Sequence, residues 1–196
     1  MFFQPPAPQG SIEVITGCMF SGKTQEMIAR IMHARADGIH SYIFKPEIDI
    51  RYHTVNIMSH NAQSLEAIPV KNATDILNFI NQSCTVGIDE AQFFDEGILG
   101  VCHYLASLHC RVIVAGLDMD FMGRPFGSMP GLLATADYVS KLQARCMVCG
   151  EVATRSFKKT NSSLTFELGE TNLYEARCRR CFEMGIAERD IQIDLF

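Results

Sequence analysis

From residue 11 to about residue 145 the chain alternates between short apolar runs and longer amphipathic ones. Ile12-Glu13-Val14-Ile15-Thr16 has the length and composition of a buried strand, and Gln25 to Ala36 then reads as a helix. Ser41-Tyr42-Ile43-Phe44, Ile68-Pro69-Val70, Thr85-Val86-Gly87-Ile88, Arg111 to Gly116 and Tyr138 to Leu142 are further strand candidates. Thr74 to Asn81, with Ile76, Leu77, Phe79 and Ile80, and Gly97 to His109 read as helices. Continuous apolar strands separated by helices predict an α/β fold, a mostly parallel sheet with helices on both faces. Ligands of such sheets collect at the carboxyl ends of the strands. Thr16-Gly17, Asp89-Glu90 and Leu117-Asp118 all fall there. The pattern changes near Gln143, and from Cys146 onward the chain reads as turns and short strands. This divides it into a Pro-containing leader (1–10), an α/β domain (11–143) and a small second domain with a tail (144–196).

Composition narrows the function classes. A chain of 196 residues with 47% hydrophobic and 20% charged residues is ordinary for a globular protein. No apolar run reaches membrane-spanning length. A net charge of −5 and a pI near 5.7 argue against a protein that coats nucleic acid. The first ten residues lack the basic start of a secretory signal, so a reducing, cytoplasmic setting is expected. There, Cys18, Cys84, Cys102 and Cys110 read as buried small hydrophobes.

The most specific chemistry is at residues 17–24. Gly17-Cys18-Met19-Phe20-Ser21-Gly22-Lys23-Thr24 is a complete phosphate-loop motif between a strand and a helix. Its glycines let backbone N–H groups turn toward phosphate oxygens at a helix N-terminus. Lys23 would reach the β/γ-phosphates, and the Thr24 hydroxyl would ligate Mg²⁺. Asp89, delivered by the apolar run ending at Ile88, has the form of a Mg²⁺-holding carboxylate, with Glu90 placed to accept a proton. Arg51, in a polar loop, could stabilise charge on a transferring phosphoryl group; a surface arginine would look the same.

Cys146-x-x-Cys149 and Cys178-x-x-Cys181 supply four thiolates in two pairs, suited to a closed, structural tetrahedral Zn²⁺ site; a redox dithiol is the rival. The stretch between them, with Thr165-Phe166-Glu167-Leu168-Gly169 and Tyr174, could form a lid over a substrate or a plain surface hairpin. Met19, Phe93, Phe94, Phe121 and Phe126 could line a flat apolar slot, although for each alone core packing is the better reading.

Taken in order, these segments resemble the type II, zinc-containing thymidine kinases. The resemblance runs from about Gly10 to Phe182: the phosphate loop, Lys45-Pro46 through Asp49-x-Arg51-Tyr52, Ser59-His60, Ile88 to Phe94, Ala115 to Asp118, Phe121, Arg124 to Gly127, and the cysteine pairs. It implies a P-loop fold with a small zinc-ribbon domain carrying a lasso loop, and transfer of the ATP γ-phosphoryl group to the thymidine 5′-hydroxyl. It implies Glu90 as general base and Arg51 on the transferring group, with Lys23, Thr24 and Asp89 on the phosphates and Mg²⁺. Met19, Leu117, Phe121, Phe126 and nearby Phe94 would surround the base, the lasso residues Thr165 to Gly169 would hold it, and Tyr174 would touch the sugar. A cytosolic homotetramer inhibited by thymidine triphosphate is implied as well. Ser156 stands where the family usually has threonine beside the thymine methyl, which implies weaker discrimination against uracil. Asn61-Ala62 and Gly169-Glu170 also depart from the usual glycines.

Two other readings remain at this level. A nucleic-acid-dependent ATPase would draw on Lys158, Lys159, Arg177, Arg179 and Arg180 as local basic contacts, against the acidic pI. A non-catalytic nucleotide-binding regulator would keep the phosphate loop without needing Glu90.

Overall fold

The computed structural model describes residues 10–48, 56–58, 64–160 and 173–193. Its main sheet joins β1 (Ser11–Gly17), β2 (Ser41–Pro46), β5 (Ile68–Val70), β6 (Thr85–Ile88), β7 (Arg111–Gly116) and β8 (Tyr138–Leu142). The order is β5-β2-β6-β7-β1-β8, and every pairing in it is parallel. Two short strands, β3 (Asn56–Met58) and β4 (Ser64–Glu66), pair separately and antiparallel. Pro69 lies on the edge strand β5, where a missing N–H costs no ladder bond.

Successive side chains on a strand point to opposite faces, so an apolar strand feeds two cores. Val14, Phe44, Val86, Ile88, Val112 and Val114 face α2 (Gly97–Ser107) and α3 (Met129–Thr135), meeting Ile98, Val101, Leu105 and Leu132. Ile15, Ile43, Ile113 and Ala115 face α1 (Lys23–Ala36), meeting Met27, Ile28 and Ile31. The predicted two-sided α/β sheet is therefore present. Among the described residues, no helix is long and apolar enough to cross a membrane.

Beyond Leu142 the chain leaves the sheet. Two antiparallel pairs follow, β9 (Ala144–Arg145) with β10 (Val152–Ala153) and β11 (Arg155–Lys158) with β12 (Tyr174–Arg177), and then α4 (Arg179–Ile193). The Phe157 ring locks α4 onto the second pair. It meets Phe182 edge-on at 6.0 Å and lies under the guanidinium groups of Arg177, at 3.5 Å, and Arg189, at 4.7 Å.

Three elements differ from the sequence reading. The expected helix over Thr74 to Asn81 is a 3-10 helix, Ala73–Phe79. It buries Ala73 and Ile76, three residues apart, which is the 3-10 repeat, and Asn72 and Asp75 cap its start. α3 is one short segment with a proline in its first turn, too brief for a periodic signal. α4 was not expected because its face is interrupted by Gly185. A side chain there would stand 2.2 Å from an Arg177 guanidinium nitrogen and 2.7 Å from the Phe157 ring.

A buried carboxylate ties the sheet to α1. Glu13 accepts Arg30 at 2.8 Å, and Arg111 bonds the same carboxylate from β7. Burial would raise the Glu13 pKa, but the hydrogen bonds and charges of Arg111, then Arg30, outweigh it and hold it below the usual range. The stabilisation is present above the unfolded glutamate value and is lost as pH falls through the lowered folded value. Glu13→Gln should lose about 2 kcal/mol at pH 7 in urea unfolding, less at pH 4. An unchanged stability at pH 7 would contradict this.

Candidate active site

β1, β6 and β7 end side by side, and the phosphate loop leaves β1 at that edge. Gly17 takes φ 144°, and a Cβ on it would lie 2.3 Å from the Leu142 carbonyl oxygen, so only glycine lets the loop start so close to β8. Phe20 at φ 64° and Gly22 at φ 86° complete the turn into α1. Lys23 Nζ crosses the loop to donate to the Cys18 carbonyl at 2.9 Å. Ser21 Oγ is buried without a hydrogen-bond partner among the described residues. A buried hydroxyl left in this way fits a loop shaped for an anion's oxygens.

β6 delivers Asp89 to the same place. The Thr24 hydroxyl donates to the Asp89 carboxylate at 3.1 and 3.3 Å to its two oxygens. A hydroxyl and a carboxylate so close to a phosphate loop are the hard oxygen donors that Mg²⁺ takes. The Glu90 N–H donates back to Asp89 Oδ1 at 3.0 Å. Glu90 itself sits at φ 52°, a left-handed conformation rare for a side chain of this size. Such a position is held only where the surroundings over-determine it.

Burial, and next the Glu90 carboxylate, push the Asp89 carboxyl up to about 7, against the Glu90 N–H, the Thr24 hydroxyl and the Lys23 charge. Burial lowers the Lys23 ammonium below the ordinary lysine range, while Glu90, Cys18, Asp89 and Asp118 pull it the other way. The site therefore concentrates negative charge that a cation would relieve.

The cysteine module is attached to this loop directly. The Met19 N–H donates to Ser156 Oγ at 2.9 Å, and the Cys18 thiol faces the Ala153 carbonyl at 3.5 Å. Cys18 shares a buried cluster with Cys146, Ala153, Ala176 and Cys181. The sulfurs of Cys146, Cys149, Cys178 and Cys181 all lie within 4.8 Å of one another. Tetrahedral thiolate coordination at about 2.3 Å separates sulfurs by about 3.8 Å, so the four donors fit zinc. The Cys181 N–H points at Cys178 Sγ, 3.4 Å away, the kind of outer bond that orients a metal ligand.

Of the aromatic candidates, Phe121 and Phe126 lie on the loop after β7, and Phe93 and Phe94 follow β6. Asp120 shapes it by accepting the N–H groups of Met122 and Arg124 at 2.8 and 2.9 Å. Phe121 lies under the buried Lys158 ammonium, 5.1 Å away, and Phe126 meets Phe93 edge-on at 5.5 Å. Phe94 instead joins the main core. Tyr174 is buried opposite Lys158 in the β11–β12 pair. Arg51, Thr165, Phe166, Glu167, Leu168 and Gly169 lie outside the described residues. Sequence reasoning gave no role to Gln92 or Asp120, and polar spacing alone carries no signal for either.

A family model described as thymidine kinase matches residues 10–182. The chain belongs to the thymidine kinase family. The thymidine kinase of Bacteroides fragilis is 47% identical over 180 residues, covering 92% of this chain and 90% of that protein. That of Porphyromonas gingivalis is 48% identical over 174 residues, covering 89% and 85%. Among solved structures, the Legionella pneumophila ATPase DotB overlays at a TM-score of 0.40 with 13% identity, over 74% of this chain and 44% of that one, too distant to carry an argument.

The raised Asp89 value has a testable consequence. A carboxyl with a folded pKa near 7 and an ordinary value near 3.8 burdens the fold increasingly as pH rises between them. In magnesium- and nucleotide-free buffer, Asp89→Asn should stabilise the protein, by about 1–3 kcal/mol at pH 8 and less at pH 5.5. A loss of stability at pH 8 would contradict the assignment.

Proposed function

We propose that the protein transfers the γ-phosphoryl group of ATP to the 5′-hydroxyl of thymidine. The observation that carries this is the junction at the sheet edge: the phosphate-loop hydroxyl of Thr24 bonded to Asp89, with Glu90 next in the chain. Together with family membership, it supports a thymidine kinase.

In this reading the Gly17–Gly22 loop, through its amides other than that of Met19, and the Lys23 ammonium hold the ATP phosphates. Met19, Phe20 and Ser21 line that cradle. Thr24 and Asp89 would hold Mg²⁺, whose charge offsets that building on the phosphates. Glu90 takes the proton of the 5′-hydroxyl as that oxygen attacks. Arg51 steadies the transferring group. Met19, Leu117, Phe121 and Phe126, with Phe94 behind them, enclose the base. Ser156 sits at the seam between base and phosphate loop, and Thr165 to Gly169 with Tyr174 close over the nucleoside. Cys146, Cys149, Cys178 and Cys181 would hold structural zinc, which supplies rigidity and no open position for chemistry. The same reading extends to a cytoplasmic homotetramer inhibited by thymidine triphosphate, with deoxyuridine as a weaker substrate.

The nucleic-acid-dependent ATPase has lost ground. Two of its basic residues are engaged inside the module: Lys158 is fully buried, and Arg177 bonds Glu175 at 2.9 Å and stacks on Phe157. A solvent-facing patch of phosphate contacts needs them outside.

The reaction is tested by following thymidine monophosphate formation from ATP, Mg²⁺ and thymidine. The parent should turn over, and Glu90→Gln should lose at least 100-fold in kcat while still binding thymidine. DNA-stimulated ATP hydrolysis without nucleoside transfer would overturn the reading. Cys178→Ser should lose zinc and weaken thymidine binding at least tenfold, without abolishing ATP binding at the phosphate loop. Full zinc content and unchanged thymidine affinity in that variant would refute the structural role given to the metal.

A further inference from the structure

Gln92 takes no part in the transfer as described, yet it lies buried, 3% exposed, in the 3-10 turn Ala91–Phe93 directly after Glu90. Its side chain bridges two strand ends. Oε1 accepts the Leu117 N–H at 3.0 Å, just beyond β7, and Nε2 donates to Glu90 Oε2 at 2.5 Å. A backbone N–H can only donate, so Leu117 decides which end of the amide is oxygen. The –NH₂ end must then face Glu90, and Glu90 Oε2 must accept. The direction of one backbone amide is thus passed on to the carboxylate.

The surroundings are built to keep Gln92 there. A Cβ on Gly116 would stand 2.9 Å from Gln92 Oε1 and 2.7 Å from Met129 Sδ. One on Gly127 would stand 2.3 Å from the Gln92 carbonyl oxygen. Two separate backbone segments therefore close on this residue. The left-handed Glu90 backbone needs such fixing, because the chain must reverse there while the carboxylate stays aimed.

We propose that Gln92 is a positioning residue for phosphoryl transfer: by donating to Oε2 it holds the Glu90 carboxylate in the orientation in which it meets the nucleoside 5′-hydroxyl. In the step, the bond from the 5′-oxygen to the γ-phosphorus forms and the bond from that phosphorus to the β,γ-bridging oxygen breaks. ADP leaves with the bond electrons, and the hydroxyl proton ends on Glu90. The inference rests on Glu90 being the base.

Two substitutions separate positioning from packing. Gln92→Glu keeps the shape and the acceptor for the Leu117 N–H but removes the donor to Glu90. Gln92→Met keeps the volume and removes both bonds. Thymidine phosphorylation by ATP is measured in the parent, in both variants, in Glu90→Gln and in Glu90→Gln combined with Gln92→Met. Each Gln92 variant should lose about 100-fold in kcat, with KM for thymidine and ATP within about threefold. The double variant should fall no more than about threefold below Glu90→Gln, because Gln92 acts through the group already removed. A Gln92→Glu enzyme within threefold of the parent, with Glu90→Gln impaired, overturns the inference alone. A full further loss in the double variant overturns it too, by showing a packing role. A Glu90→Gln enzyme as active as the parent removes the base assignment and the inference together.

Discussion

Inner parallel strands buried on both faces leave only their ends for chemistry, and everything at the candidate site depends on three of those ends meeting. The ladder between β1, β6 and β7 is the interaction that brings them together. It sets Thr24 against Asp89 and places Leu117 where Gln92 can span to Glu90. The contacts between strand ends are not local in sequence: Thr24 and Asp89 are 65 residues apart, and Leu117 and Gln92 are 25 apart. The apolar layers on either face supply the stability, and the polar groups at the edge spend some of it. Asp89, burdened by burial and by Glu90, is the clearest instance.

The cysteine module extends that edge rather than standing apart from it. Met19 is part of the phosphate loop, yet its N–H is satisfied by Ser156 of β11. Cys18, one residue earlier, is buried among cysteines of the module. A metal that fixes the four sulfurs would therefore also fix one wall of the nucleotide loop, and this is how a closed site with no catalytic position can matter to catalysis. Ser156 sits at the seam, so its hydroxyl bears on the geometry of the phosphate loop.

Much of this was legible in the chain. The strand ends at Gly17, Asp89 and Leu117 were readable because buried parallel strands are continuous apolar runs, and a phosphate loop is a contiguous motif. The cysteine pairs were readable for the same reason. Gln92 was not, because its importance lies in which way its amide points, and that is set by Leu117, 25 residues away. Asp120 escaped notice because its bonds shape a turn, which any acidic residue in a loop could do. α4 was hidden by Gly185, a residue that argues against a helix locally but is needed where Arg177 and Phe157 press on it. The segment Ala73–Phe79 was legible only as a helix, not as a 3-10 helix, because a short apolar cluster has too few turns to distinguish the two periods.

The central claim is that the phosphate loop and the cysteine module form one site, with the nucleoside between them. The most direct test is a crystal structure with thymidine and a non-hydrolysable ATP analogue bound together. The account predicts the base ring among Met19, Phe121 and Phe126, with the 5′-hydroxyl at hydrogen-bond distance from the Glu90 carboxylate and the triphosphate in the Gly17–Thr24 loop. A nucleoside bound elsewhere, or one with its 5′-hydroxyl turned away from Glu90, would contradict it.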